Sequence, residues 1–128
     1  MKVVVCGSRG WTDVQRMREI LELLPEGAII IHGGAPGADR MAGSLTRKFL
    51  DLQGPIVYPA DWRRYGNDAG PIRNRAMLDE EKPDLVIAFW DGQSPGTRGM
   101  MRETRLRGIE LWEVRSNGET IAGREEER

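Results

Sequence analysis

Only one of the 128 residues is a cysteine, so the chain can form no internal disulfide and no paired-cysteine metal site. Cys6 lies in an apolar stretch, which suits a reducing compartment. No run reaches the roughly 18 apolar residues that a membrane span needs. Met1-Lys2-Val3-Val4-Val5 also lacks the basic segment, apolar stretch and cleavage site of a secretory leader, so a cytoplasmic protein with no membrane partner is expected. An excess of either charge is missing too. The balance of 19 basic and 20 acidic residues leaves −1, which argues against coating nucleic acid through bulk charge but allows a local basic patch. Neither Gly-x-Gly-x-x-Gly nor a Gly-Lys-Ser/Thr loop occurs, which disfavours NAD binding and P-loop ATP hydrolysis. Ser8 has no visible His/Asp partner set to make it a nucleophile. There is no internal repeat.

What the chain does have is glycine, placed where strands should end. His32-Gly33-Gly34-Ala35-Pro36-Gly37-Ala38-Asp39 follows the apolar run at 28–31 and precedes a helical pattern, as a strand, turn and helix start would. Glycines admit positive φ and close backbone approach, and the first N–H groups of a helix have no internal partner, so an anion suits such a place. A tight turn that binds nothing is the competing reading.

In chain order, Val3-Val4-Val5-Cys6 reads as a strand covered on both faces and ends in Gly7-Ser8-Arg9-Gly10. Thr12 or Asp13 caps a helix with Val14, Met17, Leu21 and Leu24 on its apolar face. After the strand at 28–32 comes a second helix marked by Met41, Leu45 and Phe49. Residues 55–58 give a third strand, placed at a sheet edge by Pro55. Residues 59–70 read as a long irregular loop carrying Trp62, and Pro71 suits the first position of a helix running to about Lys82. That helix opens with Arg73, Asn74 and Arg75, the wrong sign of charge for an N-terminus unless an anion is near. Asp84 to Trp90 is the strongest strand. Asp91-Gly92 breaks it, Thr97 is placed to cap a helix over 97–107 with Met100, Met101 and Thr104 toward the sheet, and residues 109–114 form a fifth strand. Residues 115–128 read as a polar tail.

Strands alternating with helices imply a three-layer α/β domain over residues 2–114, a five-stranded parallel sheet in order 3-2-1-4-5 with helices on both faces. A chain of this length buries roughly two thirds of its unfolded surface as one domain. Ligands sit beyond strand C-termini where the winding reverses, here between the first and fourth strands. The loops at Gly7-Ser8-Arg9 and Asp91 to Thr97 meet there, beside the 33–39 turn, and their convergence favours a phosphate or carboxylate ligand.

Gly7-Ser8-Arg9, His32-Gly33-Gly34-Ala35, Gly37-Ala38-Asp39, Asp61-Trp62, Ala69-Gly70, Arg73-Asn74, Met77, Ala88 to Gly92 and Gly96-Thr97 together resemble the YspA-like group of the SLOG superfamily. That superfamily includes the LOG phosphoribohydrolases and the DNA-processing protein DprA. The resemblance spans about residues 2–114 and implies a Rossmann-like sheet that binds a nucleotide or nucleotide-derived ligand. It points to Gly7, Ser8, Arg9, Gly33, Gly34, Ala35, Gly37, Asp39, Arg73, Asn74, Gly92, Gly96 and Thr97 as ligand contacts, and a homodimer is expected from the relatives. In the phosphoribohydrolases a glutamate follows the Gly-Thr within three residues. Here Thr97-Arg98-Gly99-Met100 stands in its place and the first glutamate is Glu103.

Three functions follow. The first is binding of a nucleotide-like small molecule, with Trp62 and Trp90 as stacking surfaces, no cofactor fixed, no protein metal site expected, and a divalent metal accompanying the ligand left open. The second is hydrolysis of the N-glycosidic bond of a nucleoside 5′-monophosphate, with Asp39 or Asp91 as the catalytic carboxylate. His32 reads as a satisfied loop histidine ahead of a base. Third and least favoured is single-stranded DNA binding along Arg63, Arg64, Arg98, Arg102 and Arg105.

Overall fold

The computed structural model describes residues 1–48, 51–116 and 120–123. Its elements are β1 (Lys2–Gly7), α1 (Val14–Leu21), β2 (Ile29–His32), α2 (Ala38–Lys48), β3 (Gln53–Val57), α3 (Trp62–Tyr65), α4 (Ala69–Glu81), β4 (Leu85–Phe89), α5 (Pro95–Leu106), β5 (Glu110–Val114) and β6 (Thr120–Gly123). The sheet order is β3-β2-β1-β4-β5-β6, so the expected 3-2-1-4-5 arrangement is present. Its pairings are parallel except the last, where β6 runs antiparallel to β5. The stretch read as a tail thus contains a strand. Phe49 and residues 124–128 lie outside the described residues.

The unbroken apolar runs of β1 and β4 arise because both sheet faces are covered. Side chains alternate between the two faces of a strand. Val3, Val5, Leu85, Ile87 and Phe89 therefore pack with Met17, Ile20 and Leu21 of α1 and Ala38, Ala42 and Leu45 of α2. Val4, Cys6, Val86 and Ala88 turn the other way, onto Met77 and Leu78 of α4 and Met100 and Met101 of α5. Trp11 closes the first layer against Phe89, ring centroids 5.3 Å apart and edge to face. Pairing of Gly7 with Phe89 brings the ends of β1 and β4 level, which fixes where the crevice opens.

Several boundaries differ from expectation. Val14 is 48% exposed and off the buried face of α1, which Asp13 caps by accepting the Arg16 N–H at 3.0 Å. Residues 62–68 are not irregular: Asp61 accepts the Arg64 N–H at 3.1 Å and starts α3, and a 3₁₀ turn over Gly66–Asp68 leads straight into α4. Pro71 is consequently the third residue of α4 and not its first, a position whose missing N–H still costs no intrahelical bond. On α5, Ser94 is the cap residue and Pro95 the first helical one, so Thr97 sits inside the first turn. β3 begins two residues before Pro55, at the sheet edge as expected. Among the described residues no helix is long and apolar enough to cross a membrane.

Phe89 is fully buried at the centre of the first layer. Phe89→Ala should lower the unfolding free energy by roughly 3–5 kcal/mol in urea titration. A loss under about 1 kcal/mol would show that this layer is not the principal core.

Candidate functional site

The glycine-rich turn after β2 is held from within. Asp39, in the first turn of α2, accepts the Gly33 N–H at 3.0 Å and the Ala35 N–H at 3.2 Å, both on Oδ2. His32 Nδ1 accepts the Gly34 N–H at 2.9 Å. These three amides, expected to cradle an anion, are therefore already used. From α4, Arg73 Nη1 donates to the Gly33 carbonyl at 2.6 Å, and Nε donates to Asn74 Oδ1 at 2.9 Å. Only glycine fits at 37, where a Cβ would overlap the Ser8 and Arg9 carbonyls and φ is +82°; at 33 a Cβ would displace the Arg73 guanidinium from the Gly33 carbonyl.

The loop after β4 is also self-contained. Asp91 Oδ1 accepts the Gln93 and Ser94 N–H groups at 2.8 Å each, and Oδ2 accepts the Ser94 hydroxyl at 2.8 Å. Those bonds hold its pKa down to about 2. Ser8 is buried, and its Oγ accepts the Asp91 N–H at 3.0 Å. Ser8 and Asp91 border a small hollow of about 150 Å³ together with Trp11 and Asp13. Trp90 is buried in the second layer, donates Nε1–H to the Ser94 carbonyl at 3.0 Å, and carries the Arg98 and Arg115 guanidiniums 5.4 and 4.7 Å from its ring. Gly92 lies against Arg115.

The principal cleft, about 590 Å³, lies where the end of β1 meets the N-terminal halves of α4 and α5. Gly7, Arg9, Ala35, Asp39, Trp62, Arg73, Asn74, Gly96 and Thr97 of the expected contacts line it; Ser8, Gly33, Gly34, Gly37, Trp90, Asp91 and Gly92 do not. Asp39 and Asp91 thus face different cavities. Trp62 is 49% exposed and stands against Gly70, with the Arg9 guanidinium 5.9 Å from its ring. Four arginines, Arg9, Arg73, Arg75 and Arg102, face two carboxylates, Asp39 and Glu103. Arg75 escaped the sequence reading of contacts because nothing in its spacing marks which side of α4 it takes. Of the five arginines in the DNA reading only Arg102 lines the cleft; Arg98 covers Trp90 and Arg105 pairs with Glu113 at 3.8 Å.

Thr97 is 5% exposed, lines the cleft, and its hydroxyl makes no hydrogen bond among the described residues. Ser94 makes no side-chain capping bond, and the first turn of α5 has no acidic residue. This helix start is open, unlike that of α2. Burial pushes the Asp39 pKa up to about 6 against the opposing pull of the Ala35 N–H, Arg73, the Gly33 N–H and Arg9. Burial raises the Cys6 thiol well above its ordinary value, so it stays protonated on the cleft floor. His32 is lowered to about 4 by burial and by the Arg47 and Arg73 charges, which keeps it neutral and able to accept from Gly34. Among the described residues no group of three or more His, Cys, Asp or Glu is placed to hold a metal.

A mostly parallel sheet whose cleft opens beyond the C-termini of its central strands defines a Rossmann-like α/β protein. The chain belongs to the YspA, cpYpsA-related SLOG family, whose model matches residues 1–65. It is also similar to the Gene 61 protein of Mycobacterium phage D29, 35% identical over 116 residues, an alignment covering 84% of this chain and 91% of the phage protein. Membership suggests a nucleotide-related role. The matched segment carries β1, the 33–39 turn and Trp62; the α4 and α5 walls lie beyond it.

Because the native pKa of Asp39 is above that of an unfolded carboxyl, the native state binds the extra proton between about pH 4 and 6. Stability should fall as pH rises through that window, on the order of 1–3 kcal/mol, and then level off. Urea unfolding of wild type and Asp39→Asn at pH 4, 5, 6 and 7 should show this decline in wild type alone; a parallel decline in both would assign it elsewhere.

Proposed function

We propose that the cleft binds a phosphorylated, nucleotide-type small molecule, with its phosphate at the start of α5. The observation that carries this reading is the Thr97 hydroxyl, on a buried residue and without a hydrogen-bond partner among the described residues, beside a helix N-terminus that Ser94 does not cap, in an arginine-lined cleft. The first N–H groups of such a helix point at a ligand and carry partial positive charge, and a hydroxyl adds a further donor. Arg9, Arg73, Arg75 and Arg102 outnumber Asp39 and Glu103, which favours an anionic occupant. The cleft volume falls within the roughly 300–1,000 Å³ usual for small-molecule sites. Trp62 supplies a half-exposed aromatic face for a base at the mouth.

Hydrolysis of the N-glycosidic bond is a second reading, favoured by Asp39. A buried carboxyl titrating near pH 6 inside the cleft suits proton donation to a departing base or activation of water. Asp91 borders the other hollow, and its oxygens are taken by its own loop.

Thr97→Val keeps the shape and removes the hydroxyl. Calorimetric titration should show roughly tenfold weaker binding of nucleoside 5′-monophosphates, with little change for the corresponding nucleosides. Equal losses for both would remove the phosphate from the start of α5. Proton NMR of the same mixtures over a day should show free base and ribose 5-phosphate with wild type and neither with Asp39→Asn if the hydrolytic reading is right. Unchanged ligand signals in wild type would reject that reading.

A further inference from the structure

We propose that Glu103 binds the ribose hydroxyls of the ligand, an inference that rests on the phosphate lying at the start of α5. The residues of α5 that face the cleft include Gly96, Gly99, Met100 and Glu103, spaced as one stripe along the helix. Gly96 and Gly99 leave this stripe bare, for a Cβ built at either meets nothing within 4 Å. A ligand can therefore lie directly along the backbone of α5. At about 1.5 Å per residue, Glu103 is roughly 9 Å along the axis from Thr97. Its side chain lines the cleft on the same stripe as Gly96 and Gly99, so a ligand laid along that stripe from the helix start runs toward it.

The chemistry of Glu103 fits that place. Arg107 Nη1 donates to Oε1 at 2.8 Å, while Arg107 Nε donates to Asp79 Oδ1 of α4 at 2.8 Å. This brace fixes the carboxylate from behind and holds its pKa below the usual glutamate value, so it is ionised at neutral pH. An ionised carboxylate only accepts hydrogen bonds, and Oε2 has no partner among the described residues. A second anionic group is repelled there. A vicinal diol offers two neutral donors, and a carboxylate hydrogen-bonds a ribose hydroxyl in dinucleotide-binding sheets as well, though from a different element. Glu103 thereby reads the sugar, and Trp62 is left to read the base.

The test is calorimetric titration of the whole chain with AMP, GMP, CMP and UMP and with their 2′,3′-dideoxy counterparts. Wild type should bind the ribonucleotides roughly tenfold or more tightly than the dideoxy forms, the scale of a charge-assisted hydrogen bond. Glu103→Met, which keeps length and helix propensity but removes both acceptors, should bring that ratio to about one. Glu103→Gln, which retains an acceptor, should keep an intermediate ratio and guards against misfolding of the methionine variant. Comparable wild-type affinity for ribo and dideoxy forms, or a preference that survives Glu103→Met, overturns the inference while leaving the phosphate site in place. Absence of binding by any nucleotide or by inorganic phosphate removes the phosphate site and this inference together.

Discussion

The cleft depends on one buried carboxylate. Asp39 gathers two backbone N–H groups of the β2–α2 turn onto a single oxygen, and Arg73 takes a carbonyl of that turn from the opposite layer. The sheet lies between α2 and α4, so these bonds are where the two helical layers meet around its end. Were the turn amides left unpaired, each buried N–H would carry a desolvation cost of about 1–3 kcal/mol. With them satisfied, the turn forms a wall of the cleft, while Ser94 at the start of α5 makes no side-chain capping bond.

That division of labour follows from the topology. Two successive crossovers place β2 and β3 on one side of β1, and the next strand, β4, returns to its other side. Chain segments diverge there and open a crevice, with α4 and α5 on one face and the loop after β1 at its head. Arg107 ties α4 to α5 through Asp79 and Glu103, setting the spacing of the two walls of the cleft.

Much of the fold was legible in the sequence. The runs Val3 to Cys6 and Leu85 to Phe89 are apolar without interruption, a pattern that little besides a doubly covered strand produces at that length. The sixth strand was not legible, because Thr120–Gly123 gains its place only by pairing with β5 and carries no strong pattern of its own. Around the cleft, glycine marked loops that end the central strands but not how their amides are used. Spacing alone does not distinguish a turn whose amides await a ligand from one whose amides are taken by Asp39 and His32, since both require glycine and an acid at the helix start. Thr97 lines the cleft but is not the cap the sequence suggested, because Pro95 starts the helix earlier than a threonine cap would. Glu103 was set aside on its distance from Thr97, which is the separation that brings it to the far end of a bare helical stripe.

The two layers on either face of the sheet differ in softness. Against α1 and α2 the packing is made mostly by rings and branched aliphatics, Trp11 and Phe89 among them, with Met17 as a buried thioether. Against α4 and α5 it is made largely by thioethers, and two of these, Met77 and Met100, also form the cleft floor. Unbranched sulfur side chains reshape at little cost where an indole or a β-branched chain cannot. Substitutions at Met77 or Met100 can therefore reshape the cleft floor, while the layer on the other face of the sheet keeps the scaffold intact.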